Sequence, residues 1–96
     1  MTRDKRTSLA LAAHFGFYDT VNFLLRQPSC DINACDKDNN TAAHHAATKC
    51  NIAILEAIQA HPKYQSNILN KAGKTADDIK HEILSTVFKR MLKYAH

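Results

Sequence analysis

Apolar residues in this chain recur at spacings of three and four, and they never alternate with polar residues over a strand-length run. The pattern predicts helices and no sheet. Thr7 opens a short alanine-rich helix that breaks at Gly16, and a second helix follows over residues 19–27. Thr41 opens another alanine-rich helix that breaks at Cys50 and Asn51, and a fourth helix covers residues 52–60. Pro28 and Pro62 end the second and fourth helices, because proline has no N–H for the ladder and disfavours helix in the residue before it. Polar stretches rich in Asp and Asn then turn the chain. Near the end, Ile83, Leu84, Val87, Phe88, Met91 and Leu92 repeat at i, i+4 and i+8 beside Lys80, Glu82, Lys89, Arg90 and Lys93, one apolar stripe on a charged helix. The expected core is Leu9, Leu11, Val21, Leu24, Leu25, Ile54, Leu55, Ile58, Ile79, Ile83, Val87 and Leu92.

The pattern repeats. Thr7, Thr41 and Thr75 are evenly spaced, and the same shift lays Ala12-Ala13 on Ala46-Ala47, Pro28 on Pro62, Asn33 on Asn67 and Lys37 on Lys71. Val21 also falls on Leu55 and Leu24 on Ile58. Within this frame, Thr7-Ser8-Leu9-Ala10-Leu11-Ala12-Ala13 and Thr41-Ala42-Ala43-His44-His45-Ala46-Ala47 resemble the ankyrin signature T-P-L-H-x-A. Residues 31–36, Asp-Ile-Asn-Ala-Cys-Asp, look like the family's run into its projecting turn, and Gly73-Lys74-Thr75-Ala76 looks like the opening of a terminal repeat. The resemblance implies an all-α ankyrin-repeat solenoid of about three stacked helix-turn-helix repeats. Residues 1–6 would end a preceding turn, 7–40 form one repeat, 41–74 a second, and 75–96 a C-terminal capping repeat. The shift is one position longer than the family's period, and the extra residue is placed between Arg26 and Cys30. The abrupt start suggests a piece of a longer array, whose N-terminal face a neighbouring domain or subunit would cover.

Several positions depart from the signature. Ser8 and Ala42 replace its proline, and Ala10 replaces the first histidine. His45 stands where a buried leucine is usual, Cys50 where a glycine is usual, and Asn51 where a histidine is usual. These substitutions mark the middle repeat as the least stable. The third unit has no glycine break after Ile79.

Composition adds a little. A chain of 96 residues, 45% hydrophobic and 23% charged, suits one small globular domain. The net charge of +4 favours acidic partners, but basic residues without interleaved aromatics argue against nucleic acid. Three cysteines, none in a Cys-x-x-Cys pair, argue against a disulfide framework and for an intracellular, reducing setting in cytoplasm or nucleus. The run Leu9 to Ala13 after Arg3, Lys5 and Arg6 is cut short by His14, so it is no signal peptide, and no segment has the length of a membrane span.

Six histidines and three cysteines raise metal and nucleophile chemistry. Adjacent His44 and His45 would point about 100° apart on a helix and would not share one ion. A pairing of Cys50 with either histidine lacks an orienting group and an oxyanion donor. No cofactor, metal or enzymatic activity is therefore expected. The family resemblance instead implies protein binding on the concave face built by turn tips and first helices. Carried over by position, that face comprises Arg3 and Arg6, then Lys37, Asp38 and Asn40, then Lys71 and Lys74, with His14, Phe15, Thr48 and Lys49 at the helix ends. Phe15 gives the sharpest signal, since an exposed aromatic there would anchor a partner. The alternative is a non-catalytic regulatory or substrate-presenting segment of a larger multidomain enzyme. Asn33 occupies a position at which ankyrin asparagines can be hydroxylated, although a turn-forming role explains it as well.

Overall fold

The computed structural model describes residues 7–93, so Arg3 and Arg6 lie outside the described residues. Thr7 is extended and its Oγ1 accepts the Ala10 N–H at 3.1 Å, which starts α1, Ser8–Phe15. Gly16 then takes a left-handed conformation, φ 78°, and its N–H returns to the Ala12 carbonyl. The chain folds back as α2, Tyr18–Leu25, against α1. The unit recurs as α3, Ala42–Thr48, and α4, Ile52–Gln59. A last helix, α5, runs over Ala76–Lys93. No strand occurs among the described residues.

The backbone repeats as the sequence does. Cys50, one repeat on from Gly16, also adopts a left-handed conformation, φ 58°. Asn39 and Gly73 share the same spacing and the same region, φ 60° and 75°. In the first turn the Asp36 Oδ1 accepts the N–H groups of Asp38 and Asn40, both at 2.9 Å. In the second, the Asn70 Oδ1 accepts those of Ala72 and Lys74 at 3.0 and 3.1 Å. One side-chain oxygen thus closes each projecting turn.

The core lies between two layers. Alanines 10, 12, 13, 42, 43, 46 and 47 are buried, and their small side chains let α1, α3 and α5 stack closely. Behind them Leu9, Val21, Ile32, Ile54, Leu55 and Ile58 fill the space toward α2 and α4. Leu24, Leu25 and Ile79 pack at its edge and are half-buried, as are Leu11 and Ile83. Val87 and Leu92 do not join it, being 46% and 54% exposed. The cause is α5, which packs on α3 and then continues as one 18-residue helix where the earlier units break after eight or seven residues.

Polar side chains stitch adjacent repeats. The Asn51 Nδ2 donates to the Ala13 carbonyl at 3.0 Å, covering the end of α1. Asn33 is held on both sides, donating to the Lys63 carbonyl at 2.7 Å and accepting the Gln65 N–H at 3.0 Å. The turns meet edge to edge, with the Lys71 N–H on the Asp38 carbonyl at 3.0 Å and the Asn70 Nδ2 on the Asn40 Oδ1 at 3.0 Å. The result is an elongated molecule of 51 × 28 × 24 Å.

Candidate functional site

Residues Thr41–Ala47 are all buried, and two histidines on this helix reach in different directions. His44 completes a capping box with Thr41: its Nδ1 accepts the Thr41 N–H at 3.1 Å. The Nε2–H is then free to donate to the Lys74 carbonyl at 2.9 Å, so the ring carries its proton on Nε2. Burial holds this imidazole below its ordinary pKa, against the opposite pull of the Lys74 carbonyl. A neutral His44 ties the start of one repeat to the turn before the next.

His45 points to the previous turn. Its Nε2 lies 2.9 Å from the Asp36 Oδ2, and both side chains are nearly covered. Burial pushes the Asp36 carboxyl up, but bonds from the Asn40 N–H, His45 and the Asp38 N–H outweigh it and leave the pKa lowered. Asp36 therefore closes its turn and locks it to α3 at once. The substitution of histidine for an apolar residue at position 45 is explained by this partner. Sequence reading missed the pair; the alignment of Asp36 with Asn70 in the two turns was the available signal.

From this pair a line of rings runs outward. His14 stands edge-on to His45, with centroids 5.6 Å apart, and edge-on to Phe15 at 4.9 Å. Phe15 in turn stacks on Phe17 at 6.1 Å. Phe15 and Phe17 are 61% and 58% exposed. Phe17 was not among the expected surface residues, because it lies just past the glycine break.

The remaining candidates are distributed along the same stack. Lys37 and Asp38 are exposed at the first turn, with Asn40 half-buried behind them. Thr48 and Lys49 end α3 in exposed positions, and the Thr48 hydroxyl donates to the His44 carbonyl at 2.9 Å. Lys71 lies 4.0 Å from Asp38, a loose pair between exposed groups. Lys74 is engaged more closely, with its Nζ 2.6 Å from the Glu82 Oε2. Lys37 and Lys49 have no ion-pair partner among the described residues.

Among the described residues no group of three or more His, Cys, Asp or Glu converges on a metal position. Cys30, Cys35 and Cys50 are free thiols. Burial, and then nearby aspartates, push the Cys30 and Cys35 thiols up, which keeps them protonated. No helix among the described residues is long and apolar enough to cross a membrane.

Helix pairs, projecting turns and side-chain links at a fixed register define a helical-repeat solenoid. The family profile of ankyrin repeats (3 copies) matches residues 2–77, and the chain belongs to the ankyrin-repeat family. It is 32% identical to Rabankyrin-5 of Mus musculus over 73 residues, which is 76% of this chain and 6% of that protein. Rabankyrin-5 of Homo sapiens is 33% identical over the same length. Zinc finger CCCH domain-containing protein 56 of Arabidopsis thaliana is 33% identical over 60 residues, 62% of this chain and 8% of that protein. The chain thus spans a small fraction of the length of the curated relatives it matches. Ankyrin repeats are generally protein–protein interaction modules, and the family is generally non-catalytic.

Proposed function

We propose that this chain binds a protein partner along the face formed by the turn tips and the ends of the first helices, and that the partner segment is acidic with an apolar residue. The supporting observation is the exposed Phe15 ring, stacked on Phe17 and backed by His14 and His45. The backing fixes the ring's orientation, so little side-chain entropy is lost when a partner covers it. Lys49 stands one repeat on from Phe15, at the equivalent helix end, and Lys37 projects at the turn. With Lys74 already matched by Glu82, these two lysines supply the charge that steers an acidic segment.

The test is affinity capture with the wild-type chain, followed by measurement of the isolated pair by surface plasmon resonance. Phe15→Ala should weaken binding about tenfold or more, mainly through a faster off-rate. Lys37→Glu with Lys49→Glu should slow the on-rate and flatten its salt dependence. A control, Phe23→Ala on α2, should bind normally, since Phe23 is exposed on a second helix. A partner indifferent to the Phe15 and lysine variants but lost with Phe23→Ala would place the interface on the outer helices.

A further inference from the structure

The distal half of α5 leaves a row of large apolar side chains bare. Ala76 is buried in the core, Ile79 packs against it and Ile83 is half-buried, so this side of α5 faces α3. Leu84, Phe88 and Leu92 form a separate row, roughly 100–180° around the helix from Ile83 at the helical turn per residue. They are 40%, 61% and 54% exposed and look away from the repeats already stacked.

Charge is divided along the same helix. Its first half carries Asp77, Asp78 and Glu82 against one cation, Lys80, and its second half carries Lys89, Arg90 and Lys93 with no acid. Glu82 and Lys89 are about two helical turns apart, so they flank the apolar row on one side. Lys89 and Arg90 are exposed and have no ion-pair partner among the described residues. Glu82 meets Lys74 through its Oε2 and stays exposed, so it can share a second cation.

We propose that two copies of this chain pair through α5, running antiparallel, with their rows of Leu84, Phe88 and Leu92 in contact. A helix whose halves differ in charge complements itself only when the second copy runs the other way. Crossing near Thr86 sets Leu84 against Phe88 of the second copy, and the symmetry of the pair repeats that contact. The same crossing lays Glu82 beside Lys89 and Arg90 of the second copy, once from each chain. The antiparallel helix dipoles add to the attraction. An anionic bilayer surface would answer Lys89 and Arg90 but would meet Asp77 and Asp78 with like charge, whereas a second copy answers both halves. The contact is one helix per copy, which is small for an interface, so the pairing is reversible and depends on concentration.

Sedimentation equilibrium of the full chain tests this, in reducing buffer so that Cys30, Cys35 and Cys50 do not cross-link copies. The mass should rise with concentration from 10.8 kDa toward twice that value. Phe88→Asp, at an exposed position and checked for helicity by circular dichroism, should weaken pairing about tenfold or more. Glu82→Lys and Lys89→Glu should each weaken it about threefold. The two together should restore it, because an antiparallel pair regains opposite charges on exchange and a parallel pair does not. A mass fixed at 10.8 kDa up to about 1 mM chain overturns the proposal. So does association that survives Phe88→Asp unchanged, which would place the contact on another face. No recovery in the double exchange would rule out the antiparallel arrangement. A chain that stays single while sedimenting with phosphatidylserine vesicles would assign the apolar row to a lipid surface instead.

Discussion

Cys50 holds a backbone conformation that costs an L-residue roughly 1–2 kcal/mol and a glycine almost nothing. Cys50→Gly should therefore stabilise the chain by about 1 kcal/mol in urea unfolding, despite the extra freedom of glycine in the unfolded chain. His44 makes a second prediction at this scale. Its folded pKa is lowered, so below its ordinary value of 6.5 the unfolded chain takes up a proton that the folded ring resists. Its stabilising effect is complete above that value and is lost as pH falls toward the folded pKa. Urea midpoints should drop between pH 7.5 and pH 5, and His44→Gln should shrink the drop. Single residues were unevenly legible. The signature puts His44 at its histidine position, and the bond that its Nδ1 accepts from the Thr41 N–H accounts for a histidine there. The signature gave no hint that His45 would find Asp36, because that partner is nine residues away and is fixed by the turn, not by helical spacing.

Seven or eight residues are too few to hold a helix alone, and α1 and α3 gain from threonine caps, whereas α2 and α4 have no side-chain cap and rest on packing. Thr41 serves α3 through its Oγ1 and through the bond its N–H gives to His44. Thr41→Ala should cost about 1 kcal/mol, read as a lower urea midpoint with unchanged slope. Burial separates the second helices into strong and weak positions. Leu55 is fully covered, so Leu55→Ala should cost about 2–5 kcal/mol. Leu24 is half-buried at the edge, and Leu24→Ala should cost about 1–2 kcal/mol. Element boundaries were readable where glycine, proline or threonine punctuates the chain. In the third unit residues 83–85 offer no breaker and the helix runs on, as the missing glycine break implied, but the expected burial of Val87 and Leu92 on it did not follow.

Across the whole molecule, stability is a sum of weak units and the interfaces between them. Asn33 and Asn51 each bridge two repeats, so Asn33→Ala with Asn51→Ala should uncouple them. Denaturant unfolding of the wild type should be a single transition, and that of the double variant broader, with a smaller slope. The repeat period was the most legible feature of all, because it records a geometry that every unit must share. The lateral pairing of surface charge was the least legible: Lys74 and Glu82 are set by how α5 lies across the stack.

The 51 Å length against widths of 28 and 24 Å has a practical consequence for how this protein behaves in solution. The radius of gyration is 14.0 Å. A compact chain of the same number of residues would have one of about 12 Å. Friction grows with elongation, so the monomer should diffuse slowly for its mass and elute early from a sizing column. Calibration against spherical standards would then assign a single chain a mass above 10.8 kDa, an excess that elongation alone produces. Light scattering, which reads mass without reference to friction, would separate elongation from self-association.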